Sequence, residues 1–211
     1  MNPTKSEIIT LLKTSQRAID NPGWLAHSLA VGDTAGKIAT ALNREYAESS
    51  GPLFPEVFPL DVEKIIKMGY LHDVGKIMDP AWKHPVNGYH YLKDHGYPEE
   101  YYNVCMVHHF INNDPNCTFS TIPDPENDKE MVDFLKTHQF TFEEKLIALC
   151  DAMCITEVTT LDKRITDVLV RHGTNPHTSE RIVATMQLKE YIDLLLGYNL
   201  YELFPEIKEN L

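Results

Sequence analysis

The chain has 211 residues, 43% hydrophobic and 24% charged, which is enough for one buried core and matches an ordinary soluble globular protein. Its 31 acidic and 19 basic side chains leave a formal net charge of −12, which argues against a nucleic-acid polymer as partner. The N-terminus lacks the basic-then-apolar order of a signal peptide, and no apolar run approaches the roughly 20 residues of a membrane span, so a cytoplasmic protein is expected.

In chain order, Ile8, Ile9, Leu11, Leu12, Ala18 and Ile19 recur at helical spacing and predict one amphipathic helix from about Thr4 to Ile19. Asn21-Pro22-Gly23 interrupts it. A longer helix from Trp24 to about Ala47 buries Leu25, Leu29, Ala35, Ile38, Ala39 and Leu42, with His27 near its start. The stretch from Ser49 to Pro59 is a loop by its prolines and glycine. Asp61 is placed to cap a helix through Ile65, Ile66, Met68 and Leu71, which delivers His72 and Asp73.

After a connection over 77–83, a helix is predicted from His84-Pro85 to about Asp94, with proline tolerated in its first turn. His95-Gly96-Tyr97-Pro98 is a turn, and Glu99 to Ile111 reads as a helix carrying the pair His108-His109. The stretch 112–129, rich in Asn, Asp and Pro, is a loop, either a lid or substrate-facing segment or a surface insertion without a role. Tyr101, Tyr102 and Phe119 are the aromatic side chains near it that could stack a base or simply fill core. Met131 to Lys136 is a short helix.

Thr141 and Glu144 form a capping box for a nearly all-apolar helix through Leu146, Cys150, Met153, Ile155 and Val158, with Asp151 inside it. That helix, or a bent continuation, leads through Arg164 to Arg171-His172-Gly173, and a last helix runs from Pro176 and Ser179 to Gly197. Nothing alternates with period two, so the chain reads as all-α. The division expected is an N-terminal helix over 1–23, a main domain over 24–172 and a helical extension over 173–211 packed on it.

One stretch concentrates the chemistry: Leu71-His72-Asp73-Val74-Gly75-Lys76. Neighbouring side chains at a helix end project about 100° apart, so His72 and Asp73 can reach one ion. Gly75 allows close backbone approach, and Lys76 supplies a cation for an anionic oxygen. Five histidines lie from 84 to 109, namely His84, His90, His95, His108 and His109. Asp151 is a carboxylate in an apolar run, costly to bury unpaired; a structural pairing with Arg164 is the alternative to a ligand role.

The set suits a divalent cation held by imidazole and carboxylate, among Fe, Mn, Ni, Co, Mg and Zn. One ion could take His27, His72, Asp73 and Asp151; a second could take His84, His108 and His109 with Asp73 bridging. None of Cys105, Cys117, Cys150 and Cys154 forms a Cys-x-x-Cys pair, which argues against a finger-type zinc site and for free thiols in a reducing compartment.

His27-Ser-Leu-Ala-Val31, Leu71-His72-Asp73-Val-Gly-Lys76, His84-Pro-Val-Asn-Gly88, Val107-His108-His109 and Leu149-Cys-Asp151 together resemble the HD-domain superfamily of metal-dependent phosphohydrolases, in its His-Asp-x-Gly (HDIG-like) form. The resemblance implies a helical bundle with a central metal site and phosphomonoesterase, phosphodiesterase or nucleotidase chemistry. It matches His27, His72, Asp73 and Asp151 to the four primary ligands, and His84, His108 and His109 to the extra ligands of two-metal members. It matches Lys76 to a phosphate-contacting lysine. His90 remains the other candidate for the His84 position, although Pro85 and Gly88 complete the pattern around His84. His108-His109 is followed by Phe110-Ile111-Asn112 rather than Gly-Tyr-Pro, which sets the chain apart from members that cleave cyclic dinucleotides.

The activity expected is hydrolysis of a small phosphorylated molecule, a nucleotide or dinucleoside polyphosphate first, with Asp73, Lys76 and Asp151 catalytic. Arg164 and Arg171 are candidates for phosphate contacts, the alternative being that, as helix-surface residues, they only pair with carboxylates. Two alternatives stand beside it: a mixed-valent di-iron oxygenase of the same fold, and a non-catalytic metal- or nucleotide-binding sensor. A homodimer is kept as a candidate assembly.

Overall fold

The computed structural model describes residues 2–49, 56–79, 83–111 and 128–208. Every regular element among them is helical, and an isolated bridge between Cys154 and Val158 is no strand.

The first amphipathic stretch is two helices rather than one. α1 (Lys5–Lys13) opens on a Thr4/Glu7 capping box. It stops where the Thr14 hydroxyl donates back to the Thr10 carbonyl at 2.8 Å, while Ser15 turns its hydroxyl to cap α2 (Gln16–Asp20). Asn21-Pro22-Gly23, expected as an interruption, is the start of α3 (Pro22–Glu48): Asn21 accepts from the Trp24 N–H, and Pro22 loses no hydrogen bond in the first turn. Its 27 residues make it the longest helix described, about 40 Å.

Asp61 caps α4 (Val62–Leu71) as expected, and α4 crosses α3 backbone to backbone. A methyl group on Gly69 would stand 2.4 Å from the Gly32 Cα, so only glycine permits this approach. A 3₁₀ turn (Val74–Ile77) follows, then α5 (His84–Asp94) and α6 (Glu99–Val107). α7 (Lys129–Thr137) resumes the described chain. Of the loop expected over 112–129, residues 112–127, with Phe119 and Cys117, lie outside the described residues.

α8 (Phe142–Asp151) carries the Thr141/Glu144 box, but does not run on to Val158 as its apolar pattern suggests. It ends at Asp151, and the irregular segment behind it is held by Thr159 N–H donating to Met153 O at 2.6 Å and Ile155 N–H to Glu157 O at 3.0 Å. Thr160 then caps a separate α9 (Leu161–His172). α10 (Thr178–Leu196) closes on Gly197 in the left-handed region at φ 77°. A 3₁₀ turn (Leu200–Leu203) and α11 (Pro205–Lys208) complete the chain described.

One buried cluster joins Ile8 and Leu12 of α1, Ile38 and Leu42 of α3, Ile65 and Leu71 of α4, Leu146 and Leu149 of α8, and Leu196, Leu200 and Phe204 near the C-terminus. No described helix is long and apolar enough to cross a membrane.

Candidate metal centre

The helices meet at their ends, and that is where the polar side chains gather. His27 lies in the second turn of α3, and His72 caps the C-terminus of α4 with Asp73 next to it. His84 is the first residue of α5, His108 caps α6 with His109 beside it, and Asp151 is the last residue of α8. The 3₁₀ turn after Asp73 is pressed onto the start of α5: a methyl group on Gly75 would meet His84 O at 1.9 Å and Gly88 N at 2.5 Å. That contact brings His84 over Asp73, with His84 Nε2 3.2 Å from Asp73 Oδ1.

Three imidazoles are oriented by the backbone. Nδ1 of His27 lies 2.9 Å from Ile155 O, that of His72 2.6 Å from Gly69 O, and that of His108 2.8 Å from Cys105 O. A carbonyl can only accept, so each Nδ1 carries the proton and each neutral ring turns a bare Nε2 inward. Those nitrogens face carboxylate oxygens, which are also acceptors. His27 Nε2 is 3.1 Å from Asp151 Oδ1, His72 Nε2 3.6 Å from Asp73 Oδ2, and His108 Nε2 3.4 Å from Asp73 Oδ1. His84 and His109 meet Nε2 to Nε2 at 2.9 Å.

His72 Nε2, His108 Nε2 and Asp73 Oδ1 are buried with no hydrogen-bond partner among the described residues. Lone pairs opposed across buried side chains are relieved by a cation between them. The residues therefore fit a metal.

Charge states agree. Burial lowers the His72 pKa to about 4 and holds His84 and His109 below the usual imidazole range, so all three are neutral rings at neutral pH. Burial raises the Asp73 carboxyl, but Lys76, His72 and the His108 and His84 contacts outweigh it and keep Asp73 ionised. Asp151 is raised by burial in the same way and held low by His27, His72 and Arg164. Burial pushes Cys154 up to about 12 and raises Cys150 and Cys105, which leaves imidazole and carboxylate as the donors.

Two groups have the convergence a metal needs: Asp73, His84, His108 and His109, and beside them His27, His72 and Asp151. Asp73 joins them, since its Oδ2 is also 4.0 Å from His27 Nε2. All seven residues expected as ligands from the sequence thus lie together. His90 does not: it is 47% exposed and paired with Glu130 at 2.7 Å. His95 is also exposed, bonded to Tyr91 O.

Lys76 sits one 3₁₀ turn after Asp73, and that geometry eclipses residues three apart, so Nζ lies 2.5 Å from Asp73 Oδ2. Arg164 reaches Asp151 at 3.9 Å while pairing with Asp167 at 2.9 Å, and Arg171 pairs with the same Asp167. Both arginines line the cleft above the centre. Arg17, Trp24, His172 and Arg181 also line it and carry no local sequence signal of the role. Tyr101 is buried in the core and Tyr102 stacks edge-on with Tyr89, so neither borders the cleft.

A family model described as HD domain matches residues 24–154, from the start of α3 past the end of α8. No curated protein and no solved structure matched the chain.

Proposed function

The chain belongs to the HD-domain family, and on that premise we propose that it is a metal-dependent phosphohydrolase. It cleaves a phosphoester or phosphoanhydride of a small molecule, with nucleotides and dinucleoside polyphosphates as the first candidates. The observation that carries this reading is the convergence of bare imidazole nitrogens and ionised carboxylates beside Lys76 and Arg164.

His27, His72, Asp73 and Asp151 would hold one divalent ion, and Asp73, His84, His108 and His109 a second. Bound there, such ions supply Lewis acidity toward a phosphoryl oxygen and lower the pKa of water. Asp73 and Asp151, held ionised, can accept a hydrogen bond from the attacking water and fix its direction toward phosphorus. Lys76 stands at the rim, where its amine can offset charge on the phosphoryl oxygens, and Arg164 offers a planar fork for the same oxygens. Cys105, Cys150 and Cys154 are free buried thiols, which supports a reducing compartment such as the cytoplasm as the place of action.

Release of phosphate from nucleotides and sugar phosphates, and of nucleotide products from dinucleoside polyphosphates and cyclic nucleotides, with Mn, Fe(II), Co, Ni, Mg and Zn in turn, tests the proposal. Turnover with at least one metal that vanishes in Asp73→Ala is the expected result. Silence with every metal, together with substrate-dependent oxygen uptake by the iron-loaded protein, would replace hydrolysis with oxygenation, because this donor set also suits iron.

A further inference from the structure

The cleft above the centre has two lobes that share His27, Asp73, Lys76, Arg164 and Arg171 as walls. One, of about 150 Å³, continues toward His109, His172 and Arg181. The other, of about 410 Å³, continues toward Arg17, Trp24 and Thr156. Arg17, Lys76, Arg164, Arg171 and Arg181 give the described walls five basic side chains. Asp73, Asp151 and Asp167 give three carboxylates, of which the first two are committed to the centre. A cationic cleft in a chain of net charge −12 is a local concentration of charge, not a bulk property.

Arg17 sets the second lobe apart. It lies on α2, which packs against the 3₁₀ turn carrying Lys76. Its Nε is buried, and the guanidinium makes no hydrogen bond or ion pair among the described residues. Arg164 and Arg171 both lean on Asp167, whereas Arg17 has no such carboxylate among the described residues. A half-buried guanidinium without an anion is a costly arrangement unless an anion completes it in use. Trp24, the indole among the walls, is only 4% exposed, so this lobe selects by charge rather than by stacking on it.

We propose that the substrate carries two phosphate groups: the scissile one at the His/Asp centre and a second, spared one in the larger lobe against Arg17. This rests on the phosphohydrolase reading and specifies its substrate class. Water adds across the scissile P–O bond, its oxygen joining phosphorus and its proton passing to the leaving oxygen. The products are inorganic phosphate and a fragment that keeps the second phosphate.

The test compares a sugar bisphosphate with its monophosphate, and a nucleoside 3′,5′-bisphosphate with the 5′-monophosphate, in the wild type and in Arg17→Gln. The wild type is expected to favour the bisphosphates in kcat/KM by about 10- to 100-fold, the scale of a charge-assisted bond to a half-buried guanidinium. Arg17→Gln is expected to lose most of that preference through KM, and Arg17→Lys to regain part of it. Equal kcat/KM for mono- and bisphosphates, or an equal loss for both in Arg17→Gln, would overturn the proposal.

Calorimetric titration of the metal-loaded protein with pyrophosphate and with phosphate decides the same point without turnover. Tighter pyrophosphate binding that weakens in Arg17→Gln supports the second subsite, and affinities unchanged by the variant contradict it. Absence of phosphate release from every substrate would instead count against the phosphohydrolase reading.

Discussion

At the scale of single residues, the centre depends on protons being in the right places. Each backbone carbonyl that fixes an Nδ1–H leaves an Nε2 free for a cation, so the three carbonyl contacts matter as much as the rings themselves. Lys76 is the separable element, because it is no ligand. Lys76→Met should keep the metal and lower kcat by about 10²- to 10³-fold, the usual loss when one preorganised charge is removed. Metal content measured beside kcat checks this, and a loss of metal in parallel with activity would contradict it.

The same burial makes the metal-free protein sensitive to acid. His72 titrates near 4 in the fold and near 6.5 in an unfolded chain, so between these values the unfolded state binds more protons. The stability is therefore fully present above about 6.5 and is lost as pH falls toward 4. From pH 7 to pH 5, His72 alone should cost the chelated protein roughly 2 kcal/mol in denaturant unfolding. His84 and His109, lowered by burial as well, act in the same direction. A flat profile over that range would sink the assignment of neutral buried rings.

At the scale of elements, the site is assembled by helix ends and by two close backbone approaches. Gly75→Ala puts a methyl group against His84 O and Gly88 N, both main-chain atoms that cannot step aside. It should cost about 1–3 kcal/mol as overpacking and displace His84 from Asp73, seen as a lower Tm with fewer ions bound. Thr141→Ala removes the capping box of α8 at its far end from Asp151. It should cost about 1 kcal/mol and leave metal stoichiometry as it is. A variant pair in which both lost metal equally would show that the Gly75 contact is not specific to the site.

These elements also divide what was legible from what was not. Asp61, the Thr141/Glu144 box, Pro85 and Gly197 mark boundaries by local chemistry, and the helices begin or end where those residues put them. The end of α8 carries no such mark, because Met153, Ile155 and Val158 continue its apolar pattern. What turns the chain there is long-range: Ile155 O receives the His27 ring from α3, 128 residues away. Ser15 was a cap signal in plain view, but the apolar period runs across it. The histidines and Asp73 were legible because their types and spacing are uncommon together. Arg17 and Arg181 were not, since an arginine on a helix surface and one lining a cleft look alike until α2 and α10 are in place.

At the scale of the molecule, an acidic chain surrounds a cationic cleft and a centre of imidazoles and carboxylates that suits a divalent cation. Binding an ion to the folded state alone must then stabilise the whole fold, since core residues from α1 to the C-terminal turn belong to one cluster. At an ion concentration of 100 Kd the gain should be about 2.7 kcal/mol, read as a rise in Tm that chelation reverses.

The most direct measurement is the divalent-metal content of the purified protein, by elemental mass spectrometry, for the wild type and for Asp73→Ala. Asp73 stands between both ligand groups, so the account predicts metal bound to the wild type and little or none to the variant. A wild type that binds no divalent ion, or a variant that binds as much as the wild type, would contradict it.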